Sequence, residues 1–211
     1  LIVIDDGSPE KALSAKLGEL AKAGLFTLLV NNRNLGFVQT ANRGMSIHDD
    51  RDVVLLNADT VVYNDWLDRL RVQANKTRVG TVTPFSTNAT ICSYPATLRN
   101  NPEELETDFA VLDRMAAHVN QGMAVDIPTA VGFCMYISRS CLKQTGLFDA
   151  ETFGKGYGEE NDFCRRAAGL GWRNRLATDV FVRHTGEVSF AELAEAGQSY
   201  VAKALLTKHP D

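Results

Sequence analysis

The chain opens on Leu1-Ile2-Val3-Ile4, an unbroken β-branched and leucine run that predicts a strand buried on both faces. Asp5-Asp6-Gly7-Ser8-Pro9 closes it. Ser8 is placed to cap a helix whose first turn accepts Pro9, with Glu10 at the positive end of its dipole. Apolar positions at Leu13, Leu17 and Leu20 give that helix one buried stripe, and Gly24 stops it. A second strand over 26–30 leads into the polar loop 31–36 and a helix over 37–47, and 52–57 is a third buried strand. Farther on, 79–84 reads as a strand, followed by a Ser/Thr/Asn-rich loop and a helix between Pro102 and Asn120. A strand over 131–137 precedes a short helix over 138–145 that ends at Gly146. The glycine-rich stretch 153–158 runs into Glu159-Glu160-Asn161-Asp162 and a helix that stops at Gly169. A last strand over 179–183 ends at His184. Ser189 and Glu192 then form a capping box for a terminal helix reaching about Thr207.

Strands that alternate with helices and read as solid apolar runs predict an α/β fold with a mostly parallel central sheet flanked by helices. Ligands of such sheets sit at the carboxyl ends of the strands. Asp5-Asp6 and Asn57-Ala58-Asp59 both fall just past a strand end, so two acidic clusters are expected along one rim. With no internal repeat, low-complexity segment or linker, one domain over 1–211 is expected. The abrupt start on a strand reads as a piece cut from something longer.

Composition narrows the classes. Apolar residues are 45% and charged residues 23% of 211, the balance of a globular chain, which excludes disorder, collagen and coiled coil. A net charge of −4 argues against nucleic acid as a partner. Cys92, Cys134, Cys141 and Cys164 fit neither a zinc module nor a disulfide scaffold, and read as buried thiols of a reducing, cytoplasmic compartment. No apolar run approaches the roughly 18 to 20 residues of a membrane span.

Three places could carry chemistry. Asn57-Ala58-Asp59 is readable as an Asx turn opening a helix, or as an aspartate on a strand-terminal turn able to hold a hard divalent cation. Glu159, Glu160 and Asp162 complement the dipole of the helix they begin, or supply a general base beside a flexible glycine loop. His184 is readable as a satisfied core residue, or as a ligand at a strand end, whereas His48, His118 and His209 have no such placement. A dinucleotide-binding oxidoreductase is disfavoured, because Asp5-Asp6 would put two carboxylates where a pyrophosphate must sit.

Taken in order, Ile4-Asp5-Asp6-Gly7-Ser8, Asn34-Leu35-Gly36, Asn42-Arg43-Gly44, Leu55-Leu56-Asn57-Ala58-Asp59, Gly132-Phe133, Gly146-Leu147-Phe148-Asp149, Gly158-Glu159-Glu160-Asn161-Asp162-Phe163-Cys164-Arg165 and His184 ahead of Ser189-Phe190 resemble the family 2 glycosyltransferases. These are inverting enzymes of the GT-A, or nucleotide-diphospho-sugar transferase, fold. The resemblance spans about 1–190 and lacks the strand and helix with which the family normally begins. It implies that Asp5, Asp6, Asn34, Gly36, Asn42 and Asn57 contact the nucleotide. It implies that Asp59 and His184 hold Mn²⁺ or Mg²⁺. Glu160 is then the base, with Glu159 and Asp162 orienting it or the acceptor. The partners implied are a nucleotide-sugar donor and a saccharide or lipid-linked acceptor of bacterial polysaccharide assembly. The setting is the cytoplasm, with peripheral attachment to the inner face of the membrane as an option. A non-catalytic sugar-nucleotide-binding or scaffold module of a larger synthase is the other reading.

Overall fold

The computed structural model describes residues 1–101, 105–154, 156–186 and 195–210. The chain begins with β1 (Ile2–Asp5), α1 (Lys11–Lys22), β2 (Thr27–Val30) and α2 (Phe37–Met45). It continues through β3 (Val53–Leu56), β4 (Thr60–Val61), α3 (Trp66–Ala74) and β5 (Val79–Phe85). A 3-10 turn at Thr90–Cys92 precedes α4 (Phe109–Val119), β6 (Ala124–Ile127), β7 (Cys134–Ile137) and α5 (Arg139–Thr145). Next come α6 (Ala150–Phe153), α7 (Glu159–Gly169), β8 (Arg173–Phe181), β9 (Arg183–His184) and α8 (Glu195–Lys208).

The fold class is α/β, but the central sheet is mixed rather than mostly parallel. Its order is β3-β7-β5-β8-β6, and of the four pairings only β5 with β8 is parallel. A separate pair, β1 with β2, is parallel, and β4 with β9 forms a short antiparallel ribbon. The reason for the departure lies in β7. All four of its residues are buried, so it reads like a parallel strand although it runs against both neighbours. Burial on both faces reports coverage by helices and says nothing of direction.

Alternation along the strands divides the core. Met135 and Ile137 of β7 join Val53 and Leu55 of β3 under α2, α5 and α7, with Val201 and Leu205 of α8 against them. Cys134 and Tyr136 face the other way, with Val54, Val82, Leu176 and Val180, under Leu70 and Ala74 of α3. Ile137, Leu70, Val82 and Val180 are fully buried, and each stabilises the fold by about 1.5–3 kcal/mol. Buried polar groups tie the layers. Asp113 of α4 accepts from Arg69 of α3 at 2.6 Å and from the Phe181 amide at 2.9 Å.

Other local expectations shift too. Ser8 does not cap α1. The cap position is Glu10, without a side-chain bond, and the Ser8 amide donates to Asp5 Oδ1 instead. β1 is only partly buried up to Asp5. The last long strand starts at Arg173, six residues before the expected 179, and α3 and β6 had no clear sequence signal. The terminal helix is present, but its expected capping box, Ser189 with Glu192, lies outside the described residues. All four cysteines are free and buried; burial pushes the Cys92 thiol up to about 12. Among the described residues no helix is long and apolar enough to cross a membrane.

Candidate functional site

Asp59 follows β3 and immediately precedes β4, whose ribbon pairs Thr60 with His184. This two-residue pairing brings residues from opposite ends of the chain face to face. Asp59 Oδ2 lies 3.4 Å from His184 Nε2, the Thr185 amide donates to the Asp59 carbonyl at 3.2 Å, and the Gly186 amide donates to Asp59 Oδ2 at 3.0 Å. His184 is held from two further sides. Its Nδ1 is 2.6 Å from the Asn88 carbonyl oxygen, and Phe133 stacks on the ring with centroids 4.9 Å apart. A carbonyl oxygen only accepts, so Nδ1 carries a hydrogen. In the neutral ring the lone pair is therefore on Nε2, aimed at a carboxylate oxygen.

Two electron-pair donors facing one another is the arrangement a divalent cation relieves, and the Nδ1–H to carbonyl bond is the usual outer support of a metal-binding histidine. The donor set therefore fits such an ion. Among the described residues no group of three or more His, Cys, Asp or Glu converges. Asn57 Nδ2 stands 3.5 Å from His184 Nε2, which puts Asn57 with the expected metal residues rather than with the other residues expected at the nucleotide.

The second cluster opens α7. Glu159 is buried, and its Oε2, like Glu160 Oε2, has no hydrogen-bond partner. Burial, then the adjacent Glu160 charge, push the Glu159 carboxyl up to about 9. Burial also raises Glu160, against the pull of the first-turn amides and of the Glu159 hydrogen bond. Asp162 is different. It is fully buried, and it accepts from Arg166 Nε at 2.8 Å and His209 Nε2 at 3.0 Å, with Lys208 Nζ at 3.4 Å. Burial raises its carboxyl, but the bonds from Arg166 and His209 outweigh that and hold it below the ordinary value. Arg166, His209 and Lys208 thus occupy Asp162. His209, set aside on sequence, turns out to clamp α8 onto α7.

The third cluster is at the end of β1. Asp5 is bonded to the Ser8 amide at 2.8 Å and Ser14 Oγ at 2.7 Å, which hold its carboxyl low. Asp6 pins the 31–36 loop through Asn31 Nδ2 at 2.6 Å and the Leu35 and Gly36 amides, both at 2.9 Å. Asn34 Oδ1 accepts from the Gly36 amide at 3.0 Å and the residue is otherwise open to solvent. Beside this loop lies a cavity of about 480 Å³ lined by Val30, Asn31, Asn32, Arg33, Leu35 and Arg43. Arg33 and Arg43 were not picked out by sequence; two cations flanking a polar strand-end loop was the signal to be read. Asn42 is bonded within the protein. Its amide closes a two-bond clasp on the main chain of Phe148, at 2.8 and 3.0 Å, and so joins α2 to the segment before α6.

Short links connect the three. The Phe133 carbonyl accepts from the Asn57 amide at 2.9 Å, and the Ala130 amide donates to Cys164 Sγ at 3.2 Å. Two residues separate Phe133 from Ala130, a span of at most about 11 Å between Cα atoms. Cys164 is one helical turn beyond Glu160 on the same face of α7. On the other side, a Cβ built on Gly36 would lie 2.8 Å from the Gly154 carbonyl oxygen, so the loop pinned by Asp6 abuts the segment leading to Glu159.

The sequence pattern described as Glycosyltransferase like family 2 matches residues 19–196. A search of curated proteins returns no match. Among solved structures, the chain is similar to GalNAc-T7 with UDP, GalNAc and Mn²⁺, at TM-score 0.69 and 18% identity, over 97% of this chain and 41% of that one. It is also similar to the mannosyltransferase PcManGT from Pyrobaculum calidifontis in complex with GDP-Man and Mn²⁺, at TM-score 0.63 and 16% identity, over 98% of this chain and 52% of that one. The chain thus spans about half or less of the length of these neighbours, and at such identity they show its fold, which is GT-A. With that fold, and with the family pattern running through most of its length, the chain belongs to the glycosyltransferase-like family 2.

Proposed function

We propose that this chain is an inverting glycosyltransferase that moves a sugar from a nucleotide-diphosphate donor to a hydroxyl of a saccharide or lipid-linked acceptor. Bacterial polysaccharide assembly at the cytoplasmic side is the setting we infer from the family resemblance. The observation that carries the reading is the Asp59–His184 pair, its Nε2 lone pair aimed at a carboxylate oxygen, linked through the 130–133 segment to the turn of α7 that holds Glu160.

Asp59 and His184 would hold Mn²⁺ or Mg²⁺, which neutralises charge on a departing diphosphate. Glu160 takes the proton of the acceptor hydroxyl. The oxygen then bonds to the anomeric carbon as that carbon's bond to the diphosphate breaks, with inversion. Raised basicity suits Glu160 to this role. Glu159, buried beside it, would orient Glu160. The cavity by Arg33 and Arg43 is within the usual size range of small-molecule sites. With Asp5, Asp6, Asn34 and Gly36 on the same loop system, it is the place we assign to the nucleotide, and Asn57 is assigned to the diphosphate end.

The test is Glu160→Gln. Transfer from UDP- and GDP-sugars should fall by at least about 100-fold. Calorimetric titration with UDP or GDP and Mn²⁺ should give the wild-type affinity. Normal turnover by Glu160→Gln would remove Glu160 from the mechanism, and absence of any nucleotide binding by wild type would remove the function.

A further inference from the structure

We infer that Gly186 is a positioning residue for the Asp59–His184 pair, required both for its amide and for its missing side chain; this rests on the metal-dependent reading above. Its amide donates to Asp59 Oδ2 at 3.0 Å, the same oxygen that faces His184. Its φ is +68°, in the left-handed region that favours glycine. Its open face is filled by Asn88. A Cβ at position 186 would lie 1.8 Å from Asn88 Nδ2 and 2.7 Å from Asn88 Cγ, so Asn88 could not keep its place.

Asn88 matters because it touches both His184 and the main chain just before Gly186. Its main-chain carbonyl is the acceptor that holds the hydrogen on His184 Nδ1, and its side-chain amide reaches the Thr185 carbonyl at 3.4 Å. Thr87 adds a bond from its hydroxyl to the His184 carbonyl at 3.3 Å. A methyl at 186 would push the Asn88 amide off Thr185. It would also strain the backbone whose amide orients Asp59. One glycine therefore orients the carboxylate directly, and leaves room for the side chain of the residue whose carbonyl faces the histidine. Turn geometry alone would explain the positive φ, but not the contact with Asn88 or the bond to Asp59.

The experiment measures Mn²⁺ binding by electron paramagnetic resonance, with UDP and separately with GDP present, in wild type, Gly186→Ala, Asn88→Ala and the double variant. Nitrogen modulation of the bound Mn²⁺ signal reports His184 coordination. Gly186→Ala should bind Mn²⁺ at least about tenfold more weakly, the usual cost of losing outer-shell support, and lose the nitrogen coupling. Asn88→Ala keeps the carbonyl and should cost less than about threefold, and the double variant should bind at least about fivefold tighter than Gly186→Ala. Folded Gly186→Ala with wild-type affinity and coupling would overturn this inference and leave the function standing. Wild type that binds no Mn²⁺ with either nucleotide would overturn both. If Gly186→Ala does not fold, the double variant decides: folding and binding support the inference, whereas failure to fold shows that the glycine serves backbone conformation alone.

Discussion

Replacing Glu159 by Gln should stabilise the protein at neutral pH and leave it nearly unchanged in mild acid. Glu159 is 4% exposed, and burial beside Glu160 raises its carboxyl from 4.5 to about 9. Between those values the unfolded chain has lost the proton that the native state keeps. The native state binds more protons, so stability falls as pH rises through this window. At pH 7.5, three units above the unfolded value, the ceiling of the effect is about 4 kcal/mol. Relaxation of the surroundings and sharing of the effect with Glu160 bring the expectation to about 2 kcal/mol. Gln has nearly the same shape, keeps a donor for Glu160 and cannot ionise. For a chain of this size, Glu159→Gln should therefore melt about 4–8 °C above wild type at pH 7.5. At pH 5 the difference should shrink to about 1 °C or less. Differential scanning calorimetry at both pH values is the assay. Equal offsets at pH 5 and pH 7.5, or a destabilised variant at pH 7.5, would refute a protonated, buried Glu159.

Two further substitutions test the frame around the site. Asp162→Asn removes the charge opposing Arg166, Lys208 and His209, and should cost about 3 kcal/mol in urea unfolding at pH 7. Because the Asp162 carboxyl is held below its ordinary 3.8, its contribution is fully present above that value and is lost as pH falls below it. The gap between wild type and Asp162→Asn should accordingly narrow at pH 3.5. Asn42→Ala opens the clasp on Phe148 and should cost about 2 kcal/mol, read by thermal unfolding. It should leave nucleotide affinity unchanged in calorimetry, since that amide is spent within the protein; weakened nucleotide binding by a folded Asn42→Ala would return Asn42 to the site.

Local order was written in the chain. The helical pattern over 37–47 became α2, Gly146 ended α5, and α7 begins at the acidic run Glu159-Glu160 and ends at Gly169. These features are readable because neighbours three or four apart share a helix face and glycine marks where a helix stops. The residue order that resembles a glycosyltransferase also survives, since it rests on identity and sequence. What tertiary structure decided is everything set by partners distant in sequence. The direction of β7 depends on the strands beside it, not on its own four buried residues. Asn57 and His184 are 127 residues apart and meet only because a two-residue ribbon pairs their segments. His209 reaches Asp162 from 47 residues away, and Asn42 reaches Phe148 from 106. Periodicity tells each side chain which face to seek, whereas chain closure over such distances is settled by packing of the whole molecule. The same acidic residue can therefore become a base or a structural anchor, according to what the fold places beside it.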